Sequence, residues 1–334
     1  MSYQVTIQPS GHKFTVEAGQ TVLSAALDAG FALPYGCRNG ACGACKGKIL
    51  EGQVDYGDIQ PGSLSDEDRH RGLALFCSAK PKSDLVLEVK EVGAAKDIPV
   101  KTLPCRIERM ERLSHDVMQL FLKLPANERL QFLPGQYIDF LLKDGKRRSF
   151  SLANAPEEDA LLELHVRHVA GGEFTEHVFN AMQVKDIMRI NGPLGSFFLR
   201  ESDKPAIFLA TGTGFAPIKS ILNHAFHHEA DRPLVLYWGA RTLQDMYMAE
   251  LAGQWQQIHG NFTFIPVLSQ AGTDWPGRTG YVQDAVLADF ANLAGYQVYA
   301  CGAPAMVDAA RKACLGHGLP EDEFFSDAFA FQTT

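Results

Sequence analysis

The sequence predicts three unlike folds in series: a small mixed α/β fold wrapped around a cysteine-rich loop, an antiparallel β-barrel, and an α/β domain with a parallel, doubly wound sheet. Three observations predict it. Cys37, Cys42, Cys45 and Cys77 crowd one stretch near the N-terminus, short alternating apolar runs broken by glycine and proline fill the middle, and from Lys204 onward strands alternate with helices. A length of 334 residues suits two or three domains rather than one core.

The first module spans residues 1–92. Its apolar alternation at Val5 and Ile7, then at Phe14 and Val16, is interrupted by Pro9-Ser10-Gly11, which predicts a hairpin. Thr21 is placed to cap a helix whose apolar face is Val22, Leu23, Ala26 and Leu27 and which ends at Gly30. Strands follow near Lys48–Leu50 and Asp84–Val89. The cysteines stand in GCRNGACGACKGK and LFCSAKPK, the spacing C-x4-C-x2-C…C of a plant-type 2Fe-2S site. Two irons bridged by sulfide need four thiolates in a tight arc, and Gly36, Gly40 and Gly43 permit the sharp turns this demands. A zinc ribbon would want two C-x2-C pairs, and only Cys42 and Cys45 form one. Cys105 and Cys314 read as plain buried thiols. The odd total of seven cysteines opposes a disulfide framework and suits a reducing, cytoplasmic setting.

Residues 93–103 carry glycine, alanine and proline with little periodicity and read as a linker. Residues 104–200 hold runs such as Gln136–Leu142 and Leu161–Arg167, the pattern of an antiparallel barrel. In residues 201–334 the order is strand Ala206–Ala210, helix Pro217–His227, strand Leu234–Trp238, a polar helix near Leu243–Gln257, and onward to strand Gln297–Ala300. The turn Ala210-Thr-Gly-Thr-Gly-Phe-Ala-Pro217 joins the first strand to its helix. Gly212, Thr213 and Gly214 let a pyrophosphate approach the helix N-terminus, where unsatisfied amides favour anions, and Pro217 suits a first helical turn. Proline replaces the third glycine of the G-x-G-x-x-G fingerprint.

The formal net charge of -8 argues against a nucleic-acid partner. No apolar run is long enough for a membrane span, and the N-terminus lacks the order of a signal peptide. His165, His168 and the pair His227-His228 have no carboxylate spaced for metal binding and read as solvated or hydrogen-bonded side chains. The acidic run Asp66-Glu67-Asp68 reads as a solvated face that would also suit a basic docking partner.

The first module resembles the β-grasp of plant-type ferredoxins. Arg148-Ser149-Phe150-Ser151, followed by Gly171-Gly172-Glu173-Phe174-Thr175, resembles the R-x-[YF]-S signature and glycine loop of the ferredoxin-NADP reductase superfamily. The resemblance implies that Arg148 binds the FAD pyrophosphate, Phe150 lies against the isoalloxazine, Ser151 hydrogen-bonds near flavin N5, and Gly171, Gly172 and Thr175 bring amides to the same pyrophosphate. Phe150 stands where tyrosine is commoner and Thr175 where serine is usual. The turn Gly212–Pro217 matches the family's G-T-G-x-x-P nicotinamide loop. Tyr299-Ala-Cys-Gly-Ala-Pro-Ala-Met306 resembles its C-G-x-x-x-M turn, which implies that Cys301, with Gly302, lies beside the nicotinamide and guides hydride geometry. Phe329 would be the C-terminal aromatic over the flavin.

The strand Leu234–Trp238 ends in Gly239-Ala240-Arg241 without a ribose-binding carboxylate. Arg241 suits either a 2′-phosphate or the pyrophosphate. In the resembling reductases this ending accompanies NADH, with Asp245 a ribose contact; NADPH remains an alternative. The implied activity is an NAD(P)H-dependent electron-transfer oxidoreductase that passes electrons through FAD to a 2Fe-2S cluster and out to a partner enzyme. The stretches GQYIDFLLKDGKRRSFSLANAP, GTGFAPIKS and YACGAPAM look most like reductases that feed a pyridoxamine-dependent sugar dehydratase. A Rieske dioxygenase or di-iron monooxygenase component is the alternative partner. A redox sensor is the reading of another class, and no segment is left over for its output module.

Overall fold

The computed structural model describes residues 1–93 and 98–329, so residues 94–97 of the expected linker lie outside the described residues. The chain divides into two compact units, Met1–Pro99 with Gly195–Phe197 and Ser326–Thr334, and Val100–Leu194 with Phe198–Phe325.

In the first unit a five-stranded sheet has the order Lys13–Glu17, Ser2–Gln8, Leu85–Glu88, Lys46–Glu51, Leu73–Leu75. The expected hairpin forms with Val5 opposite Phe14, and Ser2–Gln8 pairs in parallel with Leu85–Glu88. Alternate residues of these strands, Val5, Ile7, Phe14, Val16, Leu85 and Leu87, are buried, as the period of two requires. The helix Val22–Asp28 packs Val22, Leu23, Ala25 and Ala26 inward, and the Thr21 hydroxyl caps it by accepting from Ser24 N at 3.2 Å. The acidic run forms the short helix Asp66–His70, in which Ser65 and Asp68 make a reciprocal capping box. Asp68 also pairs with Lys46 at 2.8 Å.

The second unit begins with six antiparallel strands in the order Arg147–Ser151, Tyr137–Leu141, Ile187–Leu194, Lys101–Arg112, Val117–Lys123, Leu162–Arg167. An antiparallel bridge from Leu152 to Leu164 joins the two outer strands and closes the sheet into a barrel, which leaves no open edge there. Its core is Ile107, Leu120, Leu122, Ile138, Phe140, Leu164, Val166 and Ile190, all fully buried. Cys105 belongs to this core, and burial pushes its thiol up to about 12.

The remaining sheet runs Arg278–Thr279, Phe262–Leu268, Leu234–Ala240, Ala206–Thr211, Gln297–Gly302, Phe324–Ala328. Ala206–Thr211 pairs in parallel with strands on both sides. The chain leaves it to one side for the next three strands and returns on the other, so the order reverses between Ala206–Thr211 and Gln297–Gly302. Beyond the carboxyl ends of strands at such a reversal lies the natural crevice for a ligand. The polar helix expected near Leu243–Gln257 is broken: Leu243–Asp245 forms a 3-10 turn, and the α-helix is Ala249–Ile258. Among the described residues no helix is long and apolar enough to cross a membrane.

Candidate functional site

The cysteine loop turns sharply enough to aim backbone amides at its own sulfurs. Cys37 N donates to Cys42 Sγ at 3.3 Å, and Ala41 N and Cys42 N donate to Cys37 Sγ at 3.4 and 3.3 Å. Gly40 makes this possible with a φ of +72°; a Cβ there would stand 2.8 Å from Asp58 O and from Ser78 Oγ. All four thiols are free. The Cys42 thiol donates to Cys37 and draws Cys37 down to about 6, while Cys42 is pushed well up by that same bond and by burial. Cys77 is drawn down by Cys45 in the same way. Paired sulfurs that share protons and receive amide hydrogens fit a group that takes four thiolates. Two distant segments of the chain complete this unit. Ser196 Oγ accepts from Tyr35 N at 2.8 Å and donates to Tyr35 O at 2.9 Å, and Asp327 Oδ1 faces Gly36, where a Cβ would lie 3.1 Å away.

In the barrel, Arg148 and Phe150 share one face of their strand and Ser149 and Ser151 the other. Phe150 is half-buried against Phe140 and Phe174, with ring centroids 5.9 and 5.3 Å away. Ser151 is buried opposite Tyr137. Gly171 takes a φ of +74° and Gly172 caps the helix Glu173–Asn180. The Thr175 hydroxyl accepts from Val169 N at 3.1 Å and lies 3.1 Å from both Val169 O and Gly172 O. Its hydroxyl therefore shapes the glycine loop, whose own N–H groups are engaged internally: Gly172 N donates to Val169 O at 2.9 Å and Gly171 N to Glu176 Oε1 at 3.3 Å.

At the crevice, the Gly212–Pro217 turn and the Cys301-Gly302 turn meet backbone to backbone. A Cβ on Gly214 would lie 2.1 Å from Cys301 O, and one on Gly302 would lie 2.2 Å from Thr211 Oγ1. Only glycine allows either approach. Ala303 N donates to Thr211 Oγ1 at 3.2 Å and fixes the contact from the other side. Thr213 is buried, and Pro217 lies in the first turn of the helix Phe215–His227. Cys301 is fully buried at the end of its strand. Asp245 spends its carboxylate locally: Oδ2 accepts from Thr242 N and Oγ1 at 3.0 Å each, and Oδ1 stands 3.6 Å from Arg241. Beside it a cavity of about 320 Å³ is lined by Thr242, Leu243, Leu268, Gln270 and Trp275. Phe329 follows the strand Phe324–Ala328 and is half-buried, in the unit that holds the cysteines rather than the one that holds Arg148–Ser151.

Sequence reasoning missed the groups that tie the segment after the strand Arg147–Ser151 to the helix after the Gly212–Pro217 turn. Lys219 and Ser220 stand in the first turns of the helix that follows Gly212–Pro217. Lys219 Nζ donates to Ala153 O at 3.1 Å and to Glu163 Oε2 at 2.8 Å, and Ser220 Oγ donates to Asn154 O at 2.6 Å. Ala153 and Asn154 come directly after Ser151-Leu152, so one helix is bonded to the segment that continues the R-x-F-S strand. Glu163 Oε1 accepts from Gln119 Nε2 at 2.7 Å and from His165 Nε2 at 2.8 Å. Burial opposes the charge on Glu163, yet the His165 hydrogen bond and the Lys219 charge outweigh it and hold the carboxyl at about 2. Burial lowers His165, so its ring is neutral, with Nε2–H toward Glu163 and Nδ1 accepting from the Tyr247 hydroxyl at 3.0 Å. Arg167 was missed too. Held by Asp116 at 2.7 Å, it reaches over the nucleotide loop, where a Cβ on Gly212 would lie 2.7 Å from Nη1. Apolar alternation marked this strand as buried, but nothing in the spacing indicates which loop its polar residues meet.

Residues 5–82 match the 2Fe-2S iron-sulfur cluster binding domain, residues 104–199 the oxidoreductase FAD-binding domain, and residues 208–312 the oxidoreductase NAD-binding domain. The chain is 41% identical to the CDP-6-deoxy-L-threo-D-glycero-4-hexulose-3-dehydrase reductase of Yersinia pestis, over 98% of this chain and 99% of that protein. It is 38% identical to the reductase component of phenol 2-monooxygenase from Pseudomonas sp. strain CF600, over 98% of this chain and 95% of that one. Among solved structures, the cytochrome P450 reductase of Amycolatopsis superposes with a TM-score of 0.78 at 33% identity, covering 98% of both chains. The order of modules and the cofactors read from the sequence, 2Fe-2S, FAD and NADH, agree with these matches, and the activity is electron transfer. The chain belongs to the ferredoxin-NADP reductase superfamily, in the branch that carries a 2Fe-2S domain ahead of the flavin domain.

Proposed function

We propose that this chain draws reducing equivalents from NADH and delivers single electrons to a separate acceptor enzyme, a pyridoxamine-dependent sugar dehydratase. The observation that carries the choice of acceptor is the 41% identity, over nearly the full length of both chains, to a hexulose-dehydrase reductase. The 38% identity to a phenol monooxygenase component supports an oxygenase as the second reading.

When bound, the nicotinamide supplies a hydride, the flavin turns electron pairs into single electrons, and the 2Fe-2S cluster carries them one at a time. The protein's part is binding and alignment. The Arg148 guanidinium and the N-terminus of the helix Glu173–Asn180, which Gly171 and Gly172 lead into, would hold the FAD pyrophosphate. Phe150 offers a ring to the isoalloxazine and Ser151 a hydroxyl near N5. The Gly212–Pro217 turn, with Thr213 and Arg167, would hold the nicotinamide dinucleotide, and the cavity beside Arg241 would receive its adenosine end. Cys301 and Gly302 would wall the nicotinamide. Cys37, Cys42, Cys45 and Cys77 would ligate the cluster. Because Asp245 draws Arg241 toward itself, a 2′-phosphate would have to compete with a carboxylate, which favours NADH.

Anaerobic stopped-flow mixing with NADH or NADPH tests the route. Fast flavin bleaching followed by loss of cluster absorbance, quicker with NADH, is expected; an oxidised cluster after flavin reduction overturns it. For the acceptor, NADH consumption is measured with a purified sugar dehydratase and with an oxygenase component. Turnover with the oxygenase alone refutes the dehydratase assignment.

A further inference from the structure

The helix Phe215–His227 docks on the barrel a second time at its far end. His224 and His228, four residues apart, lie on one side of the helix, in line with Ser220. Opposite them is Glu157, in the 3-10 turn Pro156–Glu158 of the barrel's outer connection. His224 Nδ1 stands 2.7 Å and His228 Nε2 3.0 Å from the same oxygen, Glu157 Oε1. The two imidazoles are 4.4 Å apart. All three donor atoms lie within 4.8 Å of one another.

We propose that Glu157, His224 and His228 form a binding site for a divalent transition-metal ion, with Zn²⁺ the best fit. Two imidazole nitrogens and one carboxylate oxygen are a borderline donor set, which selects Zn²⁺ and its first-row neighbours over Mg²⁺ or Ca²⁺. Ligands about 2.0–2.1 Å from a tetrahedral metal stand about 3.3–3.4 Å apart, and the two Glu157 contacts, 2.7 and 3.0 Å, need open by only about 0.3–0.7 Å to reach that spacing. The His228 side chain is 56% exposed and that of Glu157 23%, so an ion can enter from solvent and keep water in its remaining position. The carboxylate comes from 67 residues upstream of His224, which is why spacing along the helix gave no hint of it. A bound ion would cross-link the helix that begins at the nucleotide loop to the barrel that carries the flavin strand. This inference does not depend on which acceptor enzyme the reductase serves. The competing arrangement is an ion-pair cluster of protonated imidazoles on Glu157, and metal binding separates the two.

The test is a ZnCl₂ calorimetric titration of the chelator-washed holoprotein, with flavin and cluster in place, repeated on His228→Ala and on the double variant His224→Ala/His228→Ala. All the changed side chains are partly exposed, and unchanged flavin and cluster absorbance verifies that the variants fold. One Zn²⁺ per chain at a Kd of about 1–10 μM, weaker than a four-ligand structural site, is expected. Affinity should fall at least about tenfold in the single variant and that equivalent should vanish in the double variant. Saturating Zn²⁺ should also raise the melting temperature of the wild type, but not of the double variant, by a few degrees. Absence of binding at 100 μM Zn²⁺, or an equal stoichiometry and Kd in the wild type and the double variant, overturns the proposal.

Discussion

Replacing Lys219 by methionine removes one charge from the buried network while nearly preserving side-chain length. Glu163 is held at about 2 against an ordinary 4.5. At 1.36 kcal/mol per unit, the network stabilises the ionised form by about 3 kcal/mol at neutral pH. Gln119 and His165 still serve Oε1 in the variant, but Oε2 loses the Lys219 contact and Ala153 O a donor. Breaking one side of a buried pair costs about 3–5 kcal/mol, and the surviving bonds place this case near the lower end. A unit of this size loses about 2–4 °C per kcal/mol, so FAD should be released about 6–12 °C lower, followed by flavin fluorescence. Because Lys219 also holds the nucleotide helix to Ala153, flavin reduction by saturating NADH should slow about tenfold or more, since small misplacements of reacting groups are costly. Ser220→Ala, which removes one neutral hydrogen bond, should cost only about 1 kcal/mol. A Lys219→Met protein that releases FAD at the wild-type temperature and is reduced at the wild-type rate would falsify the reasoning.

The same network sets an acid limit: because the Glu163 carboxyl is depressed in the fold, its contribution is complete above the ordinary 4.5 and is lost as pH falls from there to about 2. Flavin retention against pH should show this loss, and Glu163→Gln should blunt it. Cys42→Ser should abolish the cluster spectrum and cytochrome c reduction while NADH-driven ferricyanide reduction survives, and equal loss of both activities counts against separate centres. Gly214→Ala puts a methyl 2.1 Å from Cys301 O, so the two loops must part. NADH affinity, read from the KM for ferricyanide reduction, should weaken at least about tenfold, and an unchanged KM would show that the contact does not shape the site. Ser151→Ala should slow flavin reduction without lowering FAD content, and unchanged stopped-flow kinetics remove Ser151 from that role.

What the sequence disclosed was whatever chemistry or periodicity constrains locally. The cysteine spacing is legible because four thiolates must surround one small group, and Thr21 because a cap acts within three residues. The three architectures follow from runs of period two and from strand-helix alternation. The convergence of Gly214 with Cys301 and of Gly302 with Thr211 could be anticipated only as two separate motifs, since the parallel order that joins them is a property of the whole sheet. His165 read as an unremarkable histidine because Glu163 is its neighbour on the strand, whereas Tyr247 and Lys219 arrive from the other domain. Asp245 was read as a ribose contact, and its local bonds to Thr242 and Arg241 were not anticipated. Long-range polar contacts leave no periodic trace, and they were the part not legible.

The embrace of Tyr35 by Ser196 bears on how this protein can be cut. A gene fragment ending after the first module would encode the iron-sulfur fold without Gly195–Phe197 and without Asp327, so the backbone N–H and C=O of Tyr35, two residues before Cys37, would both lose their bonds to Ser196. Such a ferredoxin should be a poorer container for its cluster than the intact chain, shedding iron faster to a chelator. Fusions that graft the module onto other reductases would inherit that leak unless they carry a serine equivalent to Ser196. The module boundary drawn along the sequence is therefore not the boundary along which the chain can be divided without loss.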